Sequence, residues 1–403
     1  MKLVVFAHTP PPFHGQSFMV ESMLTGFRNK LIKTITAADS NELVCYHVNV
    51  RLSDDLEDVG RFRFGKVMTL LYYVFQAIVY RFRFGARNFY YVPAPGKRSS
   101  LYRDWIVMGL CRPFFSRLIF HWHAVGLAGW LTCDACLWER WVTRRLLGFP
   151  DLSLTLASSL SDDATYLQSK RIQVVPNGIP DPCPEFEELI LPFRRANLAR
   201  RRQIFEEKSA ASDNRETYRV VFLAHCTREK GLFDALRAIA LANQDLDEQR
   251  LPLRMHLTVA GAFLHESERQ EFDSWQKAHR GQVNYVGFLA ADAKRKLLQK
   301  SDCLCFPTFY LAEGQPVSII EAMAFGLTIV ASAWRGILEL LPKNYPFLCS
   351  ERDPSVLAST LIESVRADLA KDLRLRYCET FTEECYLNGL ANALQQIWSP
   401  SGR

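Results

Sequence analysis

The chain reads as an α/β protein built from two doubly wound, parallel-sheet (Rossmann-like) domains. Three observations predict this. Its 403 residues are more than a single core usually holds and suit two domains of ordinary size. Continuous Val/Ile/Leu-rich runs alternate with helix-length segments from end to end, as expected of parallel sheets covered on both faces. A proline-rich stretch, NGIPDPCPE at 177–185, divides those runs into two sets.

The first set comprises KLVVFAH (2–8), LVCYHVNV (43–50), FYYVPA (89–94), LIFHWHA (118–124), LSLTLA (152–157) and IQVVPN (172–177). The second comprises YRVVFLAH (218–225), MHLTVAG (255–261), QVNYVGF (282–288), CLCF (303–306), LTIVAS (327–332) and PFLCS (346–350). Each run is strand length and bounded by turn or helix signals. Between the sets, 193–217 is highly charged and shows no apolar stripe, so it is expected as a helix followed by a loose loop. The last segment, TEECYLNGLANALQQIW at 382–398, has helical periodicity and stops at Ser399-Pro400. The expected domains are therefore 1–180 and 181–378, with 379–403 as a terminal helix.

Composition narrows the classes. Hydrophobic residues make up 48% and charged residues 23%, a globular balance. Eleven cysteines lie without framework spacing, and the opening MKLVVFAHTPPP is too short in apolar residues for a secretory leader, so a cytoplasmic protein with reduced thiols is expected. The longest uncharged apolar run, VMTLLYYVFQAIVY at 67–80, is shorter than a membrane span and suits a core or interfacial helix. The net charge of +6 sits wholly in the first half, and residues 61–117 hold eleven basic residues against the single acid Asp104. RFRFG occurs there twice, at 61–65 and 81–85. Such a basic, aromatic segment suits an anionic membrane surface, a polyanionic acceptor or a solvated face; no nucleic-acid motif accompanies it.

The chemistry concentrates in EGQPVSIIE at 313–321, two glutamates with seven residues between them, followed by AMAFG. Pro316 suits a helix start and Gly326 its stop. Glu313 then lies in the preceding loop and Glu321 about one and a half turns inside, the carboxylates roughly 8–12 Å apart. A strand at 303–306 feeds this helix, whose positive N-terminus suits an anion such as a diphosphate. Lys230, in TREKG after the strand 218–225, offers a second phosphate group at another helix start. CDAC at 133–136 has zinc-ligand residue types but sits in an expected helix with no second pair, so no zinc site is expected. No GxGxxG follows any strand, which argues against a dinucleotide oxidoreductase.

The 313–326 stretch resembles the E-x7-E signature of family 4 of the retaining glycosyltransferases. Four further segments are similar to family motifs: HTPPPFHGQS (8–17) to the amino-terminal glycine loop, FHWHAVG (120–126) to the histidine-bearing strand end, VVPNGI (174–179) to the inter-domain joint, and TREKG (227–231) to the donor-phosphate lysine segment. The resemblance implies a GT-B fold, two such domains facing a cleft with the terminal helix crossing back to the first. It implies transfer of a sugar from a nucleotide diphosphate-sugar to a glycan or lipid-linked acceptor with retained anomeric configuration. No cofactor is implied, and no metal is required because no DxD-like pair is in place.

The implied catalytic residues are Glu313, against the sugar hydroxyls, and His123; the carboxylate of Glu321 would hold the ribose. Donor binding further involves Gly15 and Gln16 of the first loop, His225, Arg228 and Lys230, Gly287 in NYVGF, and Gly314 with the Val317 and Ser318 amides. The chain departs from the family pattern at Gln16 (a second glycine), His225 (an arginine, for which Arg228 would substitute) and Gln315-Pro316 (Phe-Gly). The rival readings are a nucleotide-sugar epimerase or hydrolase on the same fold, separated by acceptor dependence, and a non-catalytic glycosyltransferase-like binding subunit.

Overall fold

A computed structural model describes residues 1–11, 15–28, 43–51, 64–207, 215–349 and 352–398. Arg61, Arg63 and positions 12–14 of the first loop lie outside them. The chain forms two compact units. One comprises Met1–Pro180, Leu311–Gln315 and Thr380–Arg403; the other comprises Asp181–Tyr310 and Pro316–Glu379. The loop 311–315, expected in the second domain, thus belongs with the first.

In the first unit the strands are β1 (Lys2–Ala7), β2 (Val44–Asn49), β3 (Asn88–Tyr91), β4 (Arg117–Trp122), β5 (Leu152–Thr155) and β6 (Ile172–Val174). They form one parallel sheet in the order β2-β1-β3-β4-β5-β6. Its helices are α1 (Gly15–Arg28), α2 (Phe64–Arg83), α3 (Arg98–Cys111), α4 (Leu127–Cys133), α5 (Leu137–Leu147) and α6 (Asp162–Tyr166). Alternate residues of each strand serve opposite layers. Val4, Phe6, Phe89, Tyr91, Phe120 and Trp122 pack beneath the α2–α3 side, while Leu3, Val5, Tyr90 and Ile119 meet α1.

The α1 side is completed from the far end of the sequence. The terminal helix α15 (Glu383–Trp398) buries Tyr386, Leu387, Leu390 and Leu394 against Met19, Val20 and Met23. Each such leucine removed from water contributes about 1.5–3 kcal/mol. A parallel bridge of Ile179 with Thr382 aligns the start of this segment beside the joint.

In the second unit the strands are β7 (Glu216–Leu223), β8 (Leu253–Ala260), β9 (Val283–Gly287), β10 (Cys303–Phe306), β11 (Thr328–Ser332) and β12 (Leu348–Cys349), again all parallel. Their order is β12-β11-β10-β7-β8-β9. The helices are α7 (Leu191–Glu207), α8 (Leu232–Glu248), α9 (Glu266–Ala278), α10 (Ala291–Lys300), α11 (Val317–Ala324), α12 (Ile337–Leu340), α13 (Pro354–Ser364) and α14 (Ala370–Thr380). Strand order reverses between β7 and β10, and open α/β sheets bind ligands beyond the carboxyl ends of the strands at such a switch point.

The charged helix α7 is more than a solvated rod. Arg194 is buried and donates to the carbonyls of Leu298 and Ser301 at the end of α10 and of Phe325 at the end of α11. Arg201 pairs with Asp302 at 2.5 Å over the Tyr218 ring. In place of an apolar stripe, α7 thus buries one arginine against helix-end carbonyls and another against a carboxylate.

Candidate active site

The loops at the switch point of the second unit carry Lys230 and the start of α11. After β7 the chain turns at Gly231 (φ +80°), where a Cβ would lie 2.0 Å from the Pro307 carbonyl, so only glycine lets the two loops close. The Phe309 N–H donates to the Glu229 carbonyl at 2.9 Å, and the Lys230 ammonium lies 4.7 Å from the centre of the Tyr310 ring. The Ser318 hydroxyl donates to the Leu223 carbonyl at 2.7 Å, tying the N-terminus of α11 to the end of β7. Pro316 is the N-cap (ψ 119°), one position before its expected place, and Val317 and Ser318 open the helix. Their N–H groups have no acceptor within α11. Lysine, helix start and glycine turn thus all lie at the carboxyl end of the second sheet, within one unit.

The neighbouring donor-side residues are placed unequally. His225 is half-buried in the loop after β7. Arg228 turns toward α9: its guanidinium reaches Glu271 at 2.5 Å, its backbone N–H donates to Glu268 at 2.6 Å, and it lies over the Phe233 ring. Its expected place as the phosphate arginine is thereby taken up by carboxylates. Glu321, one and a half turns into α11, forms an ion pair with Lys294 of α10, a partner invisible in the sequence pattern. Gly287 ends β9 at φ +72° and accepts from the Gly261 N–H.

In the first unit the structure brings together His123 and the Glu313 loop. A Cβ on Gly314 would lie 2.4 Å from the His123 carbonyl, so the two backbones are in contact. Gln315 bolts this loop in place. Its side-chain oxygen accepts from the Asn177 N–H at 2.6 Å, its Nε2 donates to the Leu156 carbonyl, and its own carbonyl accepts from Asn177 Nδ2. Glu313 is 6% exposed and Gln315 7%. Gln315 and Asn177 appear in the sequence only as a motif departure and part of the joint; their pairing is a tertiary fact.

His121 lies in β4 and His123 just past its end, their rings 4.1 Å apart. His121 is fully buried, with Nδ1 2.5 Å from the Tyr90 hydroxyl. Burial, then the neighbouring His123, hold His121 well below its ordinary 6.5, and burial pushes the Tyr90 hydroxyl well up. A neutral phenol thus shares this hydrogen bond with a neutral imidazole, and the tautomer of the ring sets which of them donates. This fixes the ring beside His123. Gly15 opens α1 and is exposed, with Gln16 half-buried next to it.

CDAC is not within one helix. Cys133 ends α4, and Cys136 is the N-cap of α5, its Sγ 3.1 Å from Glu139. No group of three or more His, Cys, Asp or Glu side chains arranged to hold a metal occurs among the described residues. Nor is any helix among them long and apolar enough to cross a membrane.

Residues 203–377 match the family model of glycosyl transferases group 1. Among curated relatives, an amylovoran biosynthesis glycosyltransferase of Erwinia amylovora, AmsK, is 35% identical over 20% of this chain and 21% of its own length. A putative colanic acid biosynthesis glycosyltransferase of Salmonella typhimurium, WcaL, is 25% identical over 44% and 45%. A Campylobacter jejuni N,N'-diacetylbacillosaminyl-diphospho-undecaprenol alpha-1,3-N-acetylgalactosaminyltransferase is 34% identical over 27% and 30%. Each match spans less than half of the relative's length. Solved structures align over the whole chain. Anabaena HepE, in complex with UDP and glucose, has a TM-score of 0.63 at 15% identity, covering 98% of this chain and 99% of that one. Sucrose-phosphate synthase from Thermosynechococcus elongatus has a TM-score of 0.67 at 16% identity, covering 100% of both. The chain therefore has the GT-B fold of these glycosyltransferases, carries a group 1 glycosyltransferase match across most of its second unit, and is related to glycosyltransferases of polysaccharide biosynthesis.

Proposed function

We propose that the chain transfers a sugar from a nucleotide diphosphate-sugar to a glycan or lipid-linked acceptor, retaining the anomeric configuration and requiring no metal. The observation that carries this is the placement of Lys230 and the α11 N-terminus on the two loops at the second sheet's switch point, a setting that suits a diphosphate. HepE, a structural neighbour, was solved with UDP and glucose, which supports a sugar-nucleotide donor. The Campylobacter relative's diphospho-undecaprenol name supports a lipid-linked acceptor.

In this reading Lys230 and the Val317 and Ser318 N–H groups neutralise the diphosphate, and electrostatic stabilisation of the departing phosphate is their contribution to rate. Glu321 takes the ribose hydroxyls, exchanging its Lys294 partner for them. Glu313 and His123, held together by Gly314 and Gln315, attend the sugar; Glu313 faces the charge that develops near the anomeric carbon. The leaving phosphate assists removal of the acceptor proton from the face on which it departs. The basic region 61–117 brings the enzyme to the cytoplasmic face of an anionic membrane, where such an acceptor is found.

The test is turnover against a panel of nucleotide sugars with and without lipid-linked acceptor. Glu313→Gln is expected to depress turnover by about 10²-fold or more with nucleotide diphosphate affinity little changed, the pattern of a lost transition-state contact. Donor conversion that proceeds equally well without acceptor would establish the epimerase or hydrolase reading instead. Binding without conversion of any donor would leave a binding subunit.

A further inference from the structure

The first turns of helix α5 expose large apolar side chains and bury polar ones. Of its three buried positions only Leu147 is apolar; the other two are polar and satisfied, Glu139 accepting from Tyr102 at 2.8 Å and Arg98 at 3.1 Å, and the Thr143 hydroxyl accepting from Trp105 at 3.0 Å. Its outward positions carry Leu137, Trp138 and Trp141, which are 81%, 54% and 68% exposed. Single exposed apolar residues are ordinary; three of the largest within five residues on one face mark an interaction surface.

We infer that this ridge is a bilayer anchor, seating both indoles at the headgroup boundary of an anionic membrane. The charge pattern selects that occupant. Arg144 and Arg145 follow on the same exposed side, while the helix's one acid, Glu139, is 1% exposed and held inward. Asp134, just before the helix, is the nearby exposed acid. Indoles with arginines beside them match the apolar–polar step of a lipid interface, each ring placing its body in the acyl region and its N–H among headgroups. Trp138 is held by ring packing, in a cluster with Trp105 at 5.5 Å and Tyr102 at 6.2 Å.

A second strip lies on the same side of the first sheet. Helix α2 packs on α3, and α3 on α5. The outward residues of α2 include Met68, Tyr72 and Phe75, all more than half exposed, and no acid occurs between Phe64 and Arg83. The α5 ridge lies outside the basic segment 61–117 and adds an apolar anchor to its electrostatic contact. The inference concerns where the protein sits rather than what it catalyses, so it stands or falls apart from sugar transfer.

The experiment is co-sedimentation of the full chain with phosphatidylglycerol–phosphatidylcholine vesicles, without sugar nucleotide. Brominated acyl chains serve as a quencher of indole fluorescence. The native protein is expected to bind anionic vesicles, more weakly as salt rises, with part of its tryptophan emission quenched. The double change Trp138→Ser and Trp141→Ser is expected to lower partitioning at least about tenfold and to remove that quenching. Arg144→Ser with Arg145→Ser is expected to weaken binding to anionic but not neutral vesicles. Both variants should remain folded, with nucleotide diphosphate binding unchanged, since none of the altered side chains belongs to the candidate site. Native protein that ignores anionic vesicles at low salt overturns the inference, as does a tryptophan double variant that binds like the native chain. Loss of binding on Arg81→Ser with Arg83→Ser while the indole variant binds normally would also overturn it, leaving only the basic contact. Binding to an acidic polypeptide without vesicle binding would make the ridge a protein-docking face.

Discussion

Replacing Gly314 by alanine tests the site at the place where its geometry is tightest. The added Cβ would sit 2.4 Å from the His123 carbonyl oxygen and 3.4 Å from both the carbonyl carbon and Leu156 Cδ1. Ordinary contact begins near 3.4 Å, so the loop and the strand end must part by about 1 Å. Gly314 does not occupy the left-handed backbone region, so alanine's cost here is crowding rather than dihedral strain. Overpacking of this kind costs about 1–3 kcal/mol, or about 2–4 °C in Tm per kcal/mol for a domain of this size. The larger consequence is functional, because Glu313 precedes the crowded residue and moves with it. A displacement of about 1 Å between groups that act on one substrate typically lowers turnover about 10²-fold. The assay is kcat for sugar transfer, with nucleotide diphosphate affinity and thermal midpoint as controls. The expected result is a folded variant of nearly native nucleotide affinity and about 10²-fold lower kcat. A folded variant within about threefold of native turnover would refute the reasoning, since the close packing of Gly314 on the His123 carbonyl would then not matter to the reaction.

Other outcomes follow from the same contacts. Lys230→Ala is expected to weaken nucleotide diphosphate binding about ten- to a hundredfold, the scale of one lost charged hydrogen bond, while nucleoside binding changes little; equal loss of both, by calorimetry, would remove the lysine from the phosphate. Glu321→Gln is expected to raise the apparent KM for donor with kcat nearly unchanged, and steady-state kinetics showing the reverse would reassign it. Stability should also fall as pH drops below 6.5. Burial depresses His121 far below that value and His8 to about 4, so above 6.5 their contribution is complete. Below 6.5 the unfolded chain takes protons that the folded chain refuses, and the slope approaches about 1.4 kcal/mol per pH unit per group. Denaturant unfolding between pH 6.5 and the carboxylate range would read it, and a flat profile would show that neither ring is held neutral.

Much of the architecture was legible in the residues themselves. All twelve apolar runs are strands, because continuous Val/Ile/Leu segments of that length satisfy neither a solvated loop nor an amphipathic helix. The α11 helix and the loop position of Glu313 were likewise legible, since Pro316 and Gly326 punctuate the backbone locally. Local signals were less reliable where a residue's environment is made by distant chain. The residues of α7 show no apolar stripe, yet Arg194 is buried among carbonyls more than a hundred residues away.

The sequence by itself determined the elements, their division near Pro180 and the identity of the chemical groups, because propensity, periodicity and turn chemistry act over a few residues. Only the tertiary structure decided which unit holds the Glu313 loop, through Gln315 meeting Asn177 across 138 positions. It alone paired Glu321 with Lys294, turned Arg228 onto Glu271, and set Tyr90 against His121. Hydrogen bonds and ion pairs are made at about 3 Å between groups that the fold delivers from any distance in sequence, and no local pattern records which ones will meet.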